Sequence, residues 1–114
     1  MDASKKKALV LAGSRGIGKA IADALIETQL LEVNALSSKQ LDTSDLNACI
    51  ELCGQYENID VLVLNTGGPP AKDFTDISLS DWDKYHNQLF LGFALILQNI
   101  KINDGGFIFL ISSY

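Results

Sequence analysis

The chain has 114 residues, a formal net charge of −5 and 47% hydrophobic residues, which fits one globular domain over residues 1–114. This acidic balance offers no basic surface for nucleic acid. The longest apolar run, residues 89–102, is too short for a membrane span and is interrupted by polar residues.

A buried strand, a glycine-rich turn and a helix are predicted in direct succession near the start of the chain. Residues 8–12 are apolar, and Gly13, Gly16 and Gly18 follow them at once. Apolar residues then recur at helical spacing over residues 16–28. This arrangement places unpaired backbone N–H groups where a phosphate binds, so the sequence predicts a nucleotide site.

The next segments continue the alternation. Residues 30–36 predict a second strand, and the polar cluster at residues 42–45 predicts the start of a helix over residues 45–56. Cys49 and Cys53 lie four residues apart on this helix. We interpret them as buried thiols of a cytoplasmic protein in a reducing compartment, and we expect no metal site.

The second half of the chain adds two predicted strands and a long helix. Residues 59–64 are apolar and β-branched, which is typical of a central parallel strand. Ser80 is the predicted cap of a helix over residues 80–100, whose apolar residues extend nearly all round and predict burial on more than one side. A turn at residues 104–106 and a buried strand at residues 107–111 follow.

Strands that alternate with helices predict an α/β fold with a doubly wound parallel sheet of the Rossmann type. Polar or glycine-rich clusters follow three of the predicted strands, at residues 13–18, 65–68 and 112–113. Ligands of such sheets bind beyond the carboxyl ends of the strands. We therefore expect these clusters to form one site.

In this order, the clusters resemble the short-chain dehydrogenase/reductase family. We place its motif T-G-x-x-x-G-I-G at residues 12–18, with Gly13 as the first glycine. The family's D-V-T-D corresponds to residues 42–45, N-N-A-G to residues 64–67, and G-x-I-x-x-I-S-S to residues 106–113. The resemblance covers essentially the whole chain and implies a 3-oxoacyl reductase-like oxidoreductase that reduces a carbonyl or oxidises an alcohol.

The resemblance also implies roles for individual residues. Asp42 would lie at the adenine of a nicotinamide dinucleotide, Asn65 and Gly67 near a ribose, and Ser113 would hydrogen-bond the substrate carbonyl. The cofactor phosphates would be held by the glycine-rich turn, namely by Gly13, Ser14, Arg15, Gly16, Ile17 and Gly18.

The expected cofactor is NADP(H), with NAD(H) as the alternative. NAD-specific sites carry an acidic residue about 20 positions after the glycines, but Ser38 and Lys39 occupy that place. Arg15 adds a second cation, whose planar guanidinium suits a phosphate. We therefore include Ser38 and Lys39 among the expected cofactor-binding residues.

Two departures from the family bear on activity. The family's helical asparagine falls at Leu89 by counting from Trp82; leucine cannot replace it, and Asn87 or Gln88 would do so only in part. The family's Tyr-x-x-x-Lys pair does not follow Ser113 before the chain stops at Tyr114. Loss of one acid–base group typically removes a factor of roughly 10²–10⁴ in rate. We expect a truncated or split reductase, with a sheet that is incomplete on its C-terminal side. The alternative is an inactive nucleotide-binding or subunit-interaction fragment.

Association through the long helix is a further expectation. In the family, the helix that corresponds to residues 80–100 packs against its copy in a neighbouring subunit. The resemblance therefore implies a homo-oligomer, and we expect a charge at Phe93 to dissociate or unfold the protein.

Overall fold

A computed structural model of the chain describes residues 5–112. Its strands are β1 (Lys6–Leu11), β2 (Leu31–Leu36), β3 (Ile59–Leu64) and β4 (Ile102–Leu110). Its helices are α1 (Gly16–Glu27), α2 (Leu46–Cys53), α3 (Leu79–His86) and α4 (Gly92–Asn99), with a 3₁₀ turn at Phe74–Asp76 and a π-helical segment at Asn87–Leu91. The predicted α/β alternation is confirmed.

The four strands form one parallel sheet in the order β2-β1-β3-β4. The central strands are buried on both faces over residues 8–11 of β1 and 62–64 of β3, while Lys6 at the start of β1 is exposed; burial of the strand predicted at residues 59–64 is thus largely confirmed. The carboxyl ends of β1, β2 and β3 lie at one edge of the sheet because all pairs are parallel. The segments that follow these strands are therefore neighbours.

Side chains that alternate along the central strands build two separate core layers. Leu62 and Leu64 point to the face that α2 and α4 cover, where Ile96 is fully buried. Val63 points to the opposite face and packs with Ala22 of α1. The period-2 alternation of a strand thus anchors helices on both faces of the sheet.

The predicted long helix exists, but its cap lies two residues earlier and the helix contains an irregular turn. α3, the π-helical segment and α4 follow one another without a break from Leu79 to Asn99. Ser78, not Ser80, is the cap: its Oγ accepts from the Asp81 N–H at 3.1 Å, and an Asp81 carboxylate oxygen accepts from the Ser78 N–H at 3.1 Å. This reciprocal pair satisfies two backbone N–H groups at the helix start. The Ser80 side chain accepts from neither of them.

We expect Ser78→Ala to lower the free energy of unfolding by about 1 kcal/mol, the usual cost of losing a capping side chain. Ser80→Ala is the matched control, because its hydroxyl contacts Ser78 Oγ at 3.0 Å without accepting from the helix backbone. Urea unfolding followed by far-UV circular dichroism measures both. An equal cost for the two variants would contradict the assignment of the cap.

Within residues 5–112, the long helix is not buried on more than one side. Its inward stripe comprises Gly92, Phe93 and Ile96, whereas Trp82 and Phe90 are 53% and 62% exposed. Because Phe93 lies in the core, a charge there tests folding, and Phe90 is the better position for testing association.

The last strand also differs from its prediction. β4 includes residues 104–106, which we predicted to be a turn, because Asn103 Nδ2 donates to Asp60 Oδ1 at 2.9 Å and holds this segment against β3. The pairing shifts register there, and Gly105 adopts a φ of 79°. β4 is an edge strand whose side chains from Phe107 to Leu110 are exposed rather than buried.

The remaining differences are small. α2 ends at Cys53, three residues before its predicted end, where Gly54 follows as the C-cap. Cys49 and Cys53 are buried and free, as predicted. No helix within residues 5–112 combines the length and apolarity required to cross a membrane.

Candidate functional site

The glycine-rich turn connects β1 to α1 and corrects our placement of the first motif. The motif has eight positions. When its last glycine is aligned with Gly18, its first glycine is aligned with Ala12 and not with Gly13. Ala12 has a φ of 51°, the left-handed conformation that favours glycine. The turn is hydrogen-bonded to the end of β2, since the Gly13 N–H donates to the Leu36 carbonyl at 2.8 Å.

The other two glycines of the turn meet different requirements. Gly16 has a φ of 62°, and a Cβ at this position would meet no atom within 4 Å. A Cβ at Gly18 would lie 2.0 Å from the Ala12 carbonyl oxygen, so the helix packs on the turn without room for a side chain. These are the requirements of a pyrophosphate turn: one glycine lets a ligand approach the backbone, and another lets the helix approach the strand.

The first turn of α1 faces this open space with its N–H groups free. Within the part of the chain that the structure describes, no side chain caps these groups, and no acidic residue lies in the first turn. Arg15 flanks the helix start in an extended conformation. Unpaired N–H groups and the positive end of the helix dipole favour an anion at this position.

A cleft of about 190 Å³ adjoins the glycine-rich turn at the carboxyl edge of the sheet. It brings together four residues that we predicted from the sequence: Ser38, Asp42, Asn65 and Gly67. Its remaining lining residues are Leu11, Ala12, Leu41, Thr43, Thr66, Lys84 and Gln88.

Asp42 supplies an ionised carboxylate to this cleft. Hydrogen bonds from the Ser44 hydroxyl at 2.7 Å and the Ser44 N–H at 2.9 Å lower the pKa of Asp42, and the positive charge of Lys84 lowers it further. The carboxylate is therefore a hydrogen-bond acceptor at neutral pH.

Asn65 joins the cleft to the glycine-rich turn. Its Nδ2 donates to the Ala12 carbonyl at 3.4 Å, and a Cβ on Gly18 would lie 2.8 Å from the same nitrogen. The segment after β3 is therefore hydrogen-bonded to the segment after β1. An elongated ligand in the cleft would extend from there to the N-terminus of α1.

Among the described residues, the predicted turn from Gly13 to Gly18 borders the cleft without lining it, and two predicted cations lie outside the lining. Arg15 and Lys39 are exposed, and neither belongs to the cleft lining among residues 5–112. Ser113 lies outside the described residues, although Ser112 before it is described and exposed.

Among the polar lining residues, Thr43, Thr66 and Lys84 were not predicted from the sequence, and Gln88 was named only as a partial replacement for the family's helical asparagine. The two threonines lie inside motifs that we quoted, so their positions alone gave a signal. Lys84 and Gln88 lie one turn apart on the long helix; no local pattern distinguishes Lys84, and only the count from Trp82 pointed near Gln88.

Comparison with solved structures finds the same fold in known dehydrogenases. A small-chain dehydrogenase is 26% identical, superimposes with a TM-score of 0.84 and matches 96% of this chain. A small-chain dehydrogenase in complex with NADPH is 26% identical, with a TM-score of 0.81 over 96% of this chain. The chain has the fold of the N-terminal portion of a short-chain dehydrogenase/reductase.

Two bacterial short-chain dehydrogenases give the same result. The enzyme from Burkholderia cenocepacia, in complex with NADP, is 27% identical with a TM-score of 0.78 over 95% of this chain. The short-chain dehydrogenase/reductase from Serratia marcescens is 27% identical with a TM-score of 0.80 over 95%. The chain spans only 61%, 52%, 55% and 57% of the four matched chains, in the order given. No family model and no curated protein matches the sequence.

Proposed function

We propose that residues 1–114 form the NADP(H)-binding domain of a cytoplasmic oxidoreductase of the short-chain dehydrogenase/reductase type, which reduces a carbonyl or oxidises an alcohol. The observation that carries this proposal is the turn before α1. Its open, left-handed Gly16, its tightly packed Gly18 and the free N–H groups behind them form a cradle for a pyrophosphate.

The cleft provides the donors and acceptors that the rest of a dinucleotide requires. Asp42, Asn65 and Gly67 line this cleft. The Asp42 carboxylate would accept from an adenine amino group, while Asn65 and Gly67 would adjoin a ribose. Bound NADP(H) gives or takes a hydride. Ser113 is the proposed residue for orienting a substrate carbonyl.

Arg15 is the proposed determinant of NADP(H) over NAD(H). The exposed guanidinium at the start of α1 is free to bind the 2′-phosphate in a bidentate manner. Ser38 and Lys39 occupy the position where NAD-specific sites usually carry an acidic residue, so no carboxylate lies there. Arg15→Ala should weaken NADPH binding by about tenfold or more and NADH binding by less than about twofold.

Fluorescence titration of NADPH and NADH into the wild type and the variant measures this selectivity. Lys101→Ala is the charge-matched control, since Lys101 is exposed just before β4 at the opposite edge of the sheet. An Arg15→Ala variant with an unchanged ratio of the two affinities would show that Arg15 does not select the cofactor. A wild type that binds neither cofactor would reject the proposed function.

Subunit interaction is the second candidate function, and it has a specific observation of its own. Phe107, Ile108, Phe109 and Leu110 present apolar surface on both faces of the edge strand, and Phe90 presents more on the long helix. Apolar surface of this extent is characteristic of contact with further polypeptide. Sedimentation velocity of the wild type tests homo-oligomerisation: a strictly monomeric chain would contradict it.

A further inference from the structure

Three polar side chains meet on the wall of the cleft, where three separate segments converge. Thr43 follows β2, Thr66 follows β3, and Gln88 lies in the π-helical segment. Thr43 is 3% exposed, and the other two are half-buried. The motifs D-V-T-D and N-N-A-G have valine and alanine where this chain has the two threonines, so these hydroxyls are features of this chain.

Hydrogen bonds connect the three side chains into what we call the Thr43–Thr66–Gln88 clasp. Thr43 Oγ1 donates to the backbone carbonyl of Gln88 at 2.8 Å and lies 3.2 Å from Thr66 Oγ1. Gln88 Nε2 donates to Thr66 Oγ1 at 3.1 Å and to the Gly67 carbonyl at 2.6 Å. Because Thr43 gives its one hydroxyl proton to Gln88, Thr66 is the donor between the threonines, and the donors and acceptors match.

The backbone around the clasp is equally constrained. The Gly92 N–H donates to the Asn87 carbonyl, five residues back, which widens this turn of the helix. A Cβ on Gly92 would lie 2.1 Å from the Thr43 carbonyl oxygen. The helix backbone therefore lies directly against Thr43. The helix and the Thr43 turn form two walls of the cleft, and this contact prevents the walls from moving closer together.

We infer that Gln88 is a positioning residue for the cofactor. It holds the Thr66–Gly67 loop against the helix and the Thr43 turn, so the walls of the cleft keep their separation before a ligand binds. Such preorganisation raises affinity by reducing the ordering that binding requires. This inference rests on the proposed function, because the ligand it concerns is NADP(H).

Gln88→Met in the full chain tests the clasp, since methionine keeps the length of the side chain and removes both N–H donors. We expect NADPH affinity to fall by about tenfold. In the free protein, the NMR order parameters of the Gly67 and Gly68 amides should fall from the rigid value of about 0.85 toward 0.6. Gln98→Met is the matched control, because Gln98 is exposed on α4 and outside the cleft lining.

A double-mutant cycle separates positioning from general destabilisation. Thr66→Ala should add little to the affinity loss of Gln88→Met, because both remove the same contact, but should add fully to Gln98→Met. Unchanged order parameters in Gln88→Met would overturn the clasp, and lowered order parameters with unchanged affinity would overturn its positioning role. A wild type that binds no NADPH rejects the proposed function, and with it that role; the order parameters of the free protein still decide the clasp separately.

Discussion

Gly18→Ala is expected to lower the free energy of unfolding by about 3 kcal/mol or more, at the upper end of the cost of overpacking. The added methyl would lie 2.0 Å from the Ala12 carbonyl oxygen, which is backbone and cannot rotate away. Relief requires α1 to move off the turn, which also displaces the N–H groups of the proposed phosphate cradle. Urea unfolding and NADPH titration should therefore both show a loss.

Gly54→Ala is the control for the same chemical change. Gly54 caps α2 with a φ of −76°, and its added Cβ would lie at an ordinary 3.5 Å from the Glu51 carbonyl oxygen. We expect stability within about 1 kcal/mol of the wild type, because alanine also reduces the entropy of the unfolded chain. A Gly18→Ala variant as stable as Gly54→Ala would disprove the tight helix–strand contact.

Ile96→Ala should cost about 2–5 kcal/mol, the range for truncating a fully buried aliphatic side chain. Ile96 has no exposed surface and lies in the core layer between α4 and the sheet, together with Leu62 and Leu64. The truncation leaves a cavity that the rigid neighbouring strands fill poorly. Chemical unfolding followed by the fluorescence of Trp82 and by circular dichroism provides two probes.

Leu97→Ala supplies an internal reference for this prediction. Leu97 is the next residue on α4 and has the same number of atoms as Ile96, but it is 43% exposed. Its truncation should cost less than about 1 kcal/mol in a monomer. A cost for Leu97→Ala equal to that for Ile96→Ala would mean that this face of the helix is covered in solution by a second polypeptide.

The local parts of the fold were predictable from the sequence. Residues 59–64 form a strand within the predicted bounds because an apolar, β-branched run is a local signal. The Ser78 cap was also readable, since Asp81 follows Ser78 by three residues, but Ser80 offered a competing local signal. The strand at residues 107–110 was predicted, but its extension back to Ile102 was not, because the bond from Asn103 to Asp60 joins residues 43 positions apart.

The candidate site divides in the same way. The glycine-rich turn is a continuous stretch, so its place between β1 and α1 follows from pattern alone. Thr43, Thr66 and Gln88 are separated by more than 20 residues from one another, and only the parallel order of the strands brings them together. Sequence reasoning finds such a group only after the topology is known.

The two cysteines of α2 have a consequence for the chemistry of the folded chain. Burial raises the pKa of the Cys49 thiol to about 11 and also raises the pKa of Cys53. Because the thiolate is the reactive form, alkylating agents and oxidants reach these sulfurs only when α2 opens. The rate of thiol labelling in the native protein therefore measures how often α2 unfolds locally next to the cleft, without a probe having to be introduced into the chain.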